Sequence, residues 1–217
     1  MSIVPIERLG NGFVGILLAA GRGERFRASA GHAEADKLLS VLPDGRTVAQ
    51  ASAGALRQAL PAVIAVVRAG TPVLRQVLES SGCVLLETAD AARGMGASLA
   101  CAAREVMRAW DGARWTPGGV AMPPPRGCLV ALADMPWVTQ ETLRAVQEAA
   151  RTRRIAAPVH DGRRGHPVAF AWDLLPELAA LDGDEGARAL LKRHGVYELP
   201  CADPGVLRDI DTVQDLP

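Results

Sequence analysis

Short apolar runs recur along the chain, each followed by a polar or glycine-rich break and then by a stretch with helical spacing. The runs are Phe13–Ala19, Ala62–Val67, Cys83–Leu86, Cys128–Ala133, Ile155–Val159, Val168–Phe170 and Val196–Leu199. Most are continuous rather than alternating, the pattern of strands covered on both faces. Between them, Thr47 stands as cap of a helix to about Leu60, with Val48, Ala51, Ala55 and Leu56 on one face and Pro61 as its stop. Thr71-Pro72 opens a second helix through Ser80, with proline in its first turn. Further helices are predicted from Gly94-Met95 to about Trp110, from Thr139 to about Arg153, near Asp173 to Leu181 and over Ala187 to His194. The chain ends in Val206–Thr212 and a terminal helical turn. This alternation predicts an α/β fold, a mostly parallel central sheet with helices on both faces. Ligands in such folds sit outside the carboxyl ends of the strands.

With 217 residues the chain suits one large α/β domain, taken as residues 13–217 after an N-terminal tail of residues 1–12. The Pro- and Gly-rich stretch Trp115 to Arg126 reads as a surface insertion, because the alternation resumes after it. A hydrophobic content of 49% supports a substantial core. A formal net charge of zero argues against a general nucleic-acid or membrane-surface binder. The scarcity of aromatics argues against a base-stacking platform. None of Cys83, Cys101, Cys128 and Cys201 forms a Cys-x-x-Cys pair, so zinc and dithiol chemistry are not indicated, and Cys83 and Cys128 read as buried packing residues. Arg8 before the first apolar run superficially resembles a signal peptide, but the run is short and the charged turn follows at once. No segment approaches the ~18 apolar residues of a membrane span. A cytoplasmic location is expected.

The stretch Phe13 to Leu39 organises the rest. A buried strand runs into Ala19-Ala20-Gly21, whose side chains are too small to obstruct a ligand, and Gly21 and Gly23 permit close backbone approach. Arg22, Arg25 and Lys37 surround this turn with cations. Free amides, small residues and fixed cations suit a polyanion such as a nucleoside triphosphate. Two commoner nucleotide motifs fail: no Gly-x-x-x-x-Gly-Lys-Ser/Thr is present, and Phe26 stands where the dinucleotide fingerprint needs its third glycine. Gly21 to Asp36 is expected to form a long loop.

Asp134 follows an apolar run directly, which places it at a strand's end facing the crevice. One carboxylate there, with phosphate oxygens and waters, is a usual way of holding Mg²⁺; a helix cap or an arginine's partner is the plainer reading. Asp209 and Asp211 share a face if extended, and either completes a metal site or caps the final turn. Lys37 is followed by Leu38-Leu39, which anchor its stem. His166, between Gly165 and Pro167, suits a substrate-contacting loop or a packed histidine. Asp184 and Glu185 read as acids that favour the positive end of the helix after them.

Leu18-Ala19-Ala20-Gly21-Arg22-Gly23-Glu24-Arg25-Phe26 with Lys37-Leu38-Leu39 resembles the signature of the MobA-like nucleotidyltransferases. Gly94-Met95-Gly96-Ala97-Ser98-Leu99, Leu132-Ala133-Asp134-Met135-Pro136, Gly165-His166-Pro167-Val168 and Asp209-Ile210-Asp211-Thr212 are similar to the molybdenum cofactor cytidylyltransferase branch. The resemblance implies a Rossmann-like three-layer α/β fold. It implies Mg²⁺-dependent transfer of CMP from CTP to the phosphate of molybdopterin cofactor, with a molybdenum hydroxylase as receiver of the product. By position, Leu18, Ala19, Ala20, Gly21, Gly23, Arg25, Lys37, Gly94, Ser98 and Asp134 would hold the nucleotide. Asp134 and Asp211 would hold metal, Arg25, Lys37 and Asp134 would carry the chemistry, and Gly165, His166 and Pro167 would face the pterin. Ala20 before Gly21 resembles the CTP-using branch. The spacing from Arg25 to Lys37 is longer than the family's usual one.

Three other functions compete. The first is nucleotidyl transfer to another phosphate or phosphonate acceptor. The second is an NADPH-dependent oxidoreductase on the same fold, against which Lys37 and Asp134 argue because hydride transfer needs neither. The third is a non-catalytic chaperone for molybdenum cofactor.

Overall fold

The apolar runs become the strands of one mixed sheet in the computed structural model, which describes residues 12–113 and 123–217. Strand β1 (Phe13–Leu18) lies between β2 (Val63–Arg68) and β4 (Gly127–Leu132), parallel to both, and β3 (Val84–Thr88) extends the sheet beyond β2. On the other side β7 (Val168–Ala171) runs antiparallel between β4 and β5 (Ile155–His160). The short β6 (Arg163–Arg164) returns against the end of β5, and β8 (Tyr197–Pro200) adds parallel to β5. Asp161 and Gly162 make the β5–β6 turn with φ of 48° and 70°, as a two-residue hairpin requires. Among the described residues only β6 and β7 oppose the common strand direction, so the sheet is mostly parallel, as the alternation implied.

Side chains of β1 alternate between two cores. Phe13 and Leu17 face α2 (Val48–Ala59), α3 (Pro72–Ser80) and α5 (Gln140–Ala149), where Leu56, Leu78 and Leu143 are buried. Val14 and Ile16 face α4 (Met95–Ala113), α6 (Leu175–Ala179) and α7 (Arg188–His194). Gly15 is the close-packing point: a Cβ there would stand 2.8 Å from Val63 and 3.1 Å from Leu56. Thr47 caps α2 as expected, and Gln50 completes a capping box that reading Thr47 alone missed. Cys83 and Cys128 are buried thiols, and desolvation pushes Cys128 up to about 12.

Several expectations are corrected. Gly21 to Asp36 is not one long loop but contains a helix, α1 (Glu24–Ala30), bounded by Gly23 and Gly31 in left-handed conformation. Phe26, 4% exposed, supplies the buried anchor that its Ala- and charge-rich neighbours lack. Helix α5 ends at Ala149 rather than near Arg153, and β3 runs on to Thr88. The final turn, Val213–Asp215, is capped by Thr212 and Asp215, not by Asp209 or Asp211. The expected N-terminal tail up to Asn11, and the expected insertion up to Met122, lie outside the described residues. Among the described residues no helix is long and apolar enough to cross a membrane.

Candidate functional site

The carboxyl ends of β1 and β4 and the start of α4 enclose a cleft of about 460 Å³. Its walls carry Leu18, Ala19, Ala20, Gly21 and Gly23 from the β1–α1 turn, Gly94 and Ser98 from α4's start, and Lys37 and Asp134. Nine sequence-selected positions therefore meet in one place, although they are scattered from residue 18 to residue 134. A Cβ at Gly21 would meet no atom of the described residues within 4 Å, so the turn is open at this point. At Gly23 the backbone itself needs glycine, with φ of 63°.

Beside the cleft the charges form a chain. Lys37 Nζ donates to Asp134 Oδ2 at 2.6 Å and to Asp211 Oδ1 at 3.3 Å. Arg25 Nη1 donates to Asp211 Oδ2 at 2.5 Å. Local structure sets each member. Lys37 opens a 3₁₀ turn, Lys37–Leu39, capped by Asp36 and anchored by buried Leu38. Asp134 follows β4 where Ala133 N–H still bonds Leu18 O, at 3.0 Å, and Ser52 Oγ donates to Ala133 O at 2.9 Å. The fully buried Ile210 donates its N–H to Asp134 O at 3.0 Å, which brings the C-terminal segment and Asp211 against the strand end.

Lys37's side chain is only 11% exposed. Desolvation pulls its pKa down, but the charge and hydrogen bond of Asp134, then those of Asp211, outweigh it and hold the ammonium above its ordinary 10.5. Lys37 is therefore a fixed cation at neutral pH. The Arg25–Asp211 pair is exposed at its arginine end, and such a pair alone contributes little to stability. Asp134 Oδ1 is buried and accepts no hydrogen bond among the described residues. An orphan carboxylate oxygen at a polar cleft, with a second carboxylate on the same lysine, is a donor set that fits a hard divalent cation.

Asp209 stands outside this chain of contacts. Partial desolvation first, then the like charges of Asp211 and Asp134, raise its carboxyl above its ordinary range against the pull of Lys37. Gly165, His166 and Pro167 are not on the main cleft. His166 and Pro167 line a small cavity with Ser52, Leu56, Met135 and Leu143. Gly165 packs so tightly that a Cβ would lie 2.1 Å from Val206 O. Desolvation lowers His166 below its ordinary 6.5, with Asp134 opposing and Arg164 assisting, so the ring is neutral at neutral pH.

Arg22, read from sequence as a cation beside the turn, also lines the cleft, whereas sequence reasoning missed Ala91, Met95 and Asp184 as cleft residues. Asp184 is also a correction. Helix α7 begins only at Arg188 with Ala187 as its N-cap, and no side chain among the described residues caps it. Asp184 instead stands on the cleft wall against Gly94. The signal was the glycine pair Gly183 and Gly186 around two acids, a pattern for a sharp turn rather than a helix start.

A mostly parallel sheet with helices on both faces, and this cleft at its strand ends, define a Rossmann-like α/β protein of the nucleotidyltransferase type. Residues 15–198 match the model of the MobA-like NTP transferase domain, and the chain belongs to that family. No curated protein sequence matches it. Among solved structures it is similar to Rv0371c from Mycobacterium tuberculosis H37Rv, with 27% identity, TM-score 0.69 and coverage of 94% of this chain and 95% of that one. A structure of Rv0371c in complex with manganese matches with 27% identity, TM-score 0.66 and coverage of 95% and 96%. A nucleotidyl transferase from Methanothermobacter thermautotroptrophicus matches with 25% identity, TM-score 0.73 and coverage of 95% and 94%.

Proposed function

We propose that the protein transfers CMP from CTP to the terminal phosphate of molybdopterin cofactor and releases pyrophosphate, in the cytoplasm, for a molybdenum hydroxylase that receives the product. The observation that carries this reading is the Lys37–Asp134–Asp211 chain beside an open glycine turn. The branch-level likeness of the five motifs supports the acceptor, and Ala20 before Gly21 supports CTP.

The nucleotide's phosphates lie along the Gly21–Gly23 turn, where small residues leave the backbone accessible. A phosphate monoester is already largely dianionic at neutral pH, its second pKa being near 6, and attacks without a strong general base. One of its oxygens forms a bond to the α-phosphorus of CTP. The bond from that phosphorus to the bridging oxygen breaks, and pyrophosphate leaves with the electron pair. Lys37 and Arg25 balance the charge that develops on the leaving group, and the fixed position of Lys37 aligns it. Asp134 and Asp211 would hold Mg²⁺, which supplies charge neutralisation on the phosphate oxygens when bound. The manganese in the Rv0371c structure supports a divalent cation in this family. Of Gly165, His166 and Pro167, only the half-buried His166 would face the pterin, from the small cavity it shares with Met135.

The test is pyrophosphate release with Mg²⁺ and molybdenum cofactor, comparing CTP, GTP and ATP. Cofactor-dependent release with CTP is expected. Release with GTP instead would keep the reaction and overturn the base assignment. No release with any triphosphate would return the weight to the oxidoreductase and chaperone functions.

A further inference from the structure

The cleft has a second charged wall that the transfer chemistry does not use. Asp184 lines it from the Asp182–Gly186 loop, on the same side as Met95 and Ser98. The loop is held there by packing and hydrogen bonding. Gly96 N–H donates to Gly183 O at 2.8 Å, and a Cβ at Gly96 would stand 2.7 Å from Asp182 O. The contact with Gly94 is tighter still: a Cβ there would lie 2.2 Å from Asp184 Oδ1 and 2.6 Å from Gly183 O. Gly94 also has φ of 110°. Glycine at 94 and 96 therefore serves to seat this loop and fix the carboxylate of Asp184. Its neighbours are otherwise engaged. Asp182 pairs with Arg93 at 2.6 Å, and Ser98 Oγ donates to Gly94 O. Asp184 makes no hydrogen bond or ion pair among the described residues, its Oδ1 packing against Gly94.

An unpaired carboxylate on the wall of a cleft that takes a triphosphate repels phosphate and accepts from neutral donors. A nucleotide offers two kinds of neutral donor: the vicinal hydroxyls of the ribose and the amine of cytosine. The vicinal pair matches the two oxygens of one carboxylate, the chemistry by which an acid selects a ribose elsewhere.

We propose that Asp184 is a specificity-determining residue that accepts hydrogen bonds from the ribose hydroxyls of the bound nucleoside triphosphate and so selects ribonucleotides and sets the nucleotide's direction in the cleft. This rests on the transferase reading above. The cleft is then polar along its length, with the triphosphate at the Lys37 side and the sugar at the Asp184 side.

The experiment is calorimetric binding of CTP, 2′-deoxy-CTP and UTP, with Mg²⁺, to the full chain and to its Asp184→Ala and Asp184→Asn variants. Asp184 is exposed, so the variants are expected to melt with the parent protein. The parent should prefer CTP over 2′-deoxy-CTP by about tenfold, the worth of one hydrogen bond to a charged acceptor. In Asp184→Ala the preference should fall below about twofold, and Asp184→Asn, which keeps one acceptor, should lie between. An unchanged ribose preference in Asp184→Ala would overturn the assignment while leaving the transferase reading intact. Loss of the preference for CTP over UTP, with the ribose preference kept, would likewise overturn it and point to the cytosine amine. Failure of the parent protein to bind any of the three would overturn both readings.

Discussion

Asp134 and Asp203 flank the same stretch of chain and are used in opposite ways. Asp203 is saturated. Its Oδ2 accepts from Thr139 N at 2.9 Å, Thr139 Oγ1 at 2.9 Å and Thr142 Oγ1 at 2.7 Å, and its Oδ1 accepts from Gly205 N at 2.9 Å. One carboxylate thus braces the start of α5 and caps the Pro204–Leu207 turn. Asp134 takes one lysine on Oδ2 and leaves Oδ1 buried without a donor among the described residues. A carboxylate that folding alone required would be surrounded as Asp203 is. The difference teaches that unsatisfied capacity, more than acidity or burial, separates an acid held for a ligand from an acid held for the fold.

The largest expected effect follows from that contrast. Asp134→Asn removes the charge facing Lys37 at nearly constant shape. Turnover should fall by about a hundredfold or more, the scale of losing a charge-stabilising group at a reaction centre. The melting temperature should stay close to the parent's. Near-parent turnover would remove Asp134 from the chemistry and erase the contrast.

Asp203→Ala should do the reverse. It strands donors on Thr139, Thr142 and Gly205 and should cost about 3 kcal/mol of stability, read by chemical denaturation. Nucleotide binding by the surviving folded fraction should not change. The acid limb carries a second readout. Desolvation pushes Asp203's carboxyl up, but the hydrogen bonds from Thr139, Thr142 and Gly205 outweigh it and hold it below its ordinary 3.8. Its stabilisation is therefore complete above the unfolded carboxylate value of about 3.9 and is lost as pH falls through the lower folded value. Parent and Asp203→Asn stability curves should run parallel above pH 5 and converge only below about pH 4. Convergence at higher pH would mean that the folded protein does not hold Asp203's carboxyl below its ordinary value.

The pattern of apolar runs was enough to place β1, β2 and β4 within a residue or two, because strands buried on both faces are continuous in sequence. It was silent on the reversal of β7, since a run of apolar residues carries no direction. It also hid α1, whose single buried anchor, Phe26, sits among alanine, glycine and charge. At the site, Asp134 was legible because an acid directly after a buried strand has only the crevice to face. Asp211 was half legible: the alternation with Asp209 was visible, but the choice depends on Ile210 turning inward to bond Asp134 O. Asp184 and Asp203 were not read as what they are, because their partners lie far away in sequence. Asp184 meets Gly94, and Asp203 is bound to Thr139 and Thr142 at separations of 64 and 61 residues.

The smallest effect probes how Asp211 is held. Ile210 is fully buried, and its backbone N–H, not its side chain, ties the segment to Asp134. Ile210→Val removes one methylene and should cost about 1 kcal/mol in chemical denaturation. The backbone bond and the Lys37 and Arg25 contacts to Asp211 do not involve that methylene. Turnover should therefore stay within about twofold of the parent's, since a shift that small corresponds to well under 1 kcal/mol at the barrier. A tenfold loss of turnover with the same modest loss of stability would show that packing at Ile210 sets the carboxylate's position. Fold-holding and ligand-holding would then meet in one residue, and the division drawn between Asp203 and Asp134 would not extend to the C-terminal segment that joins them.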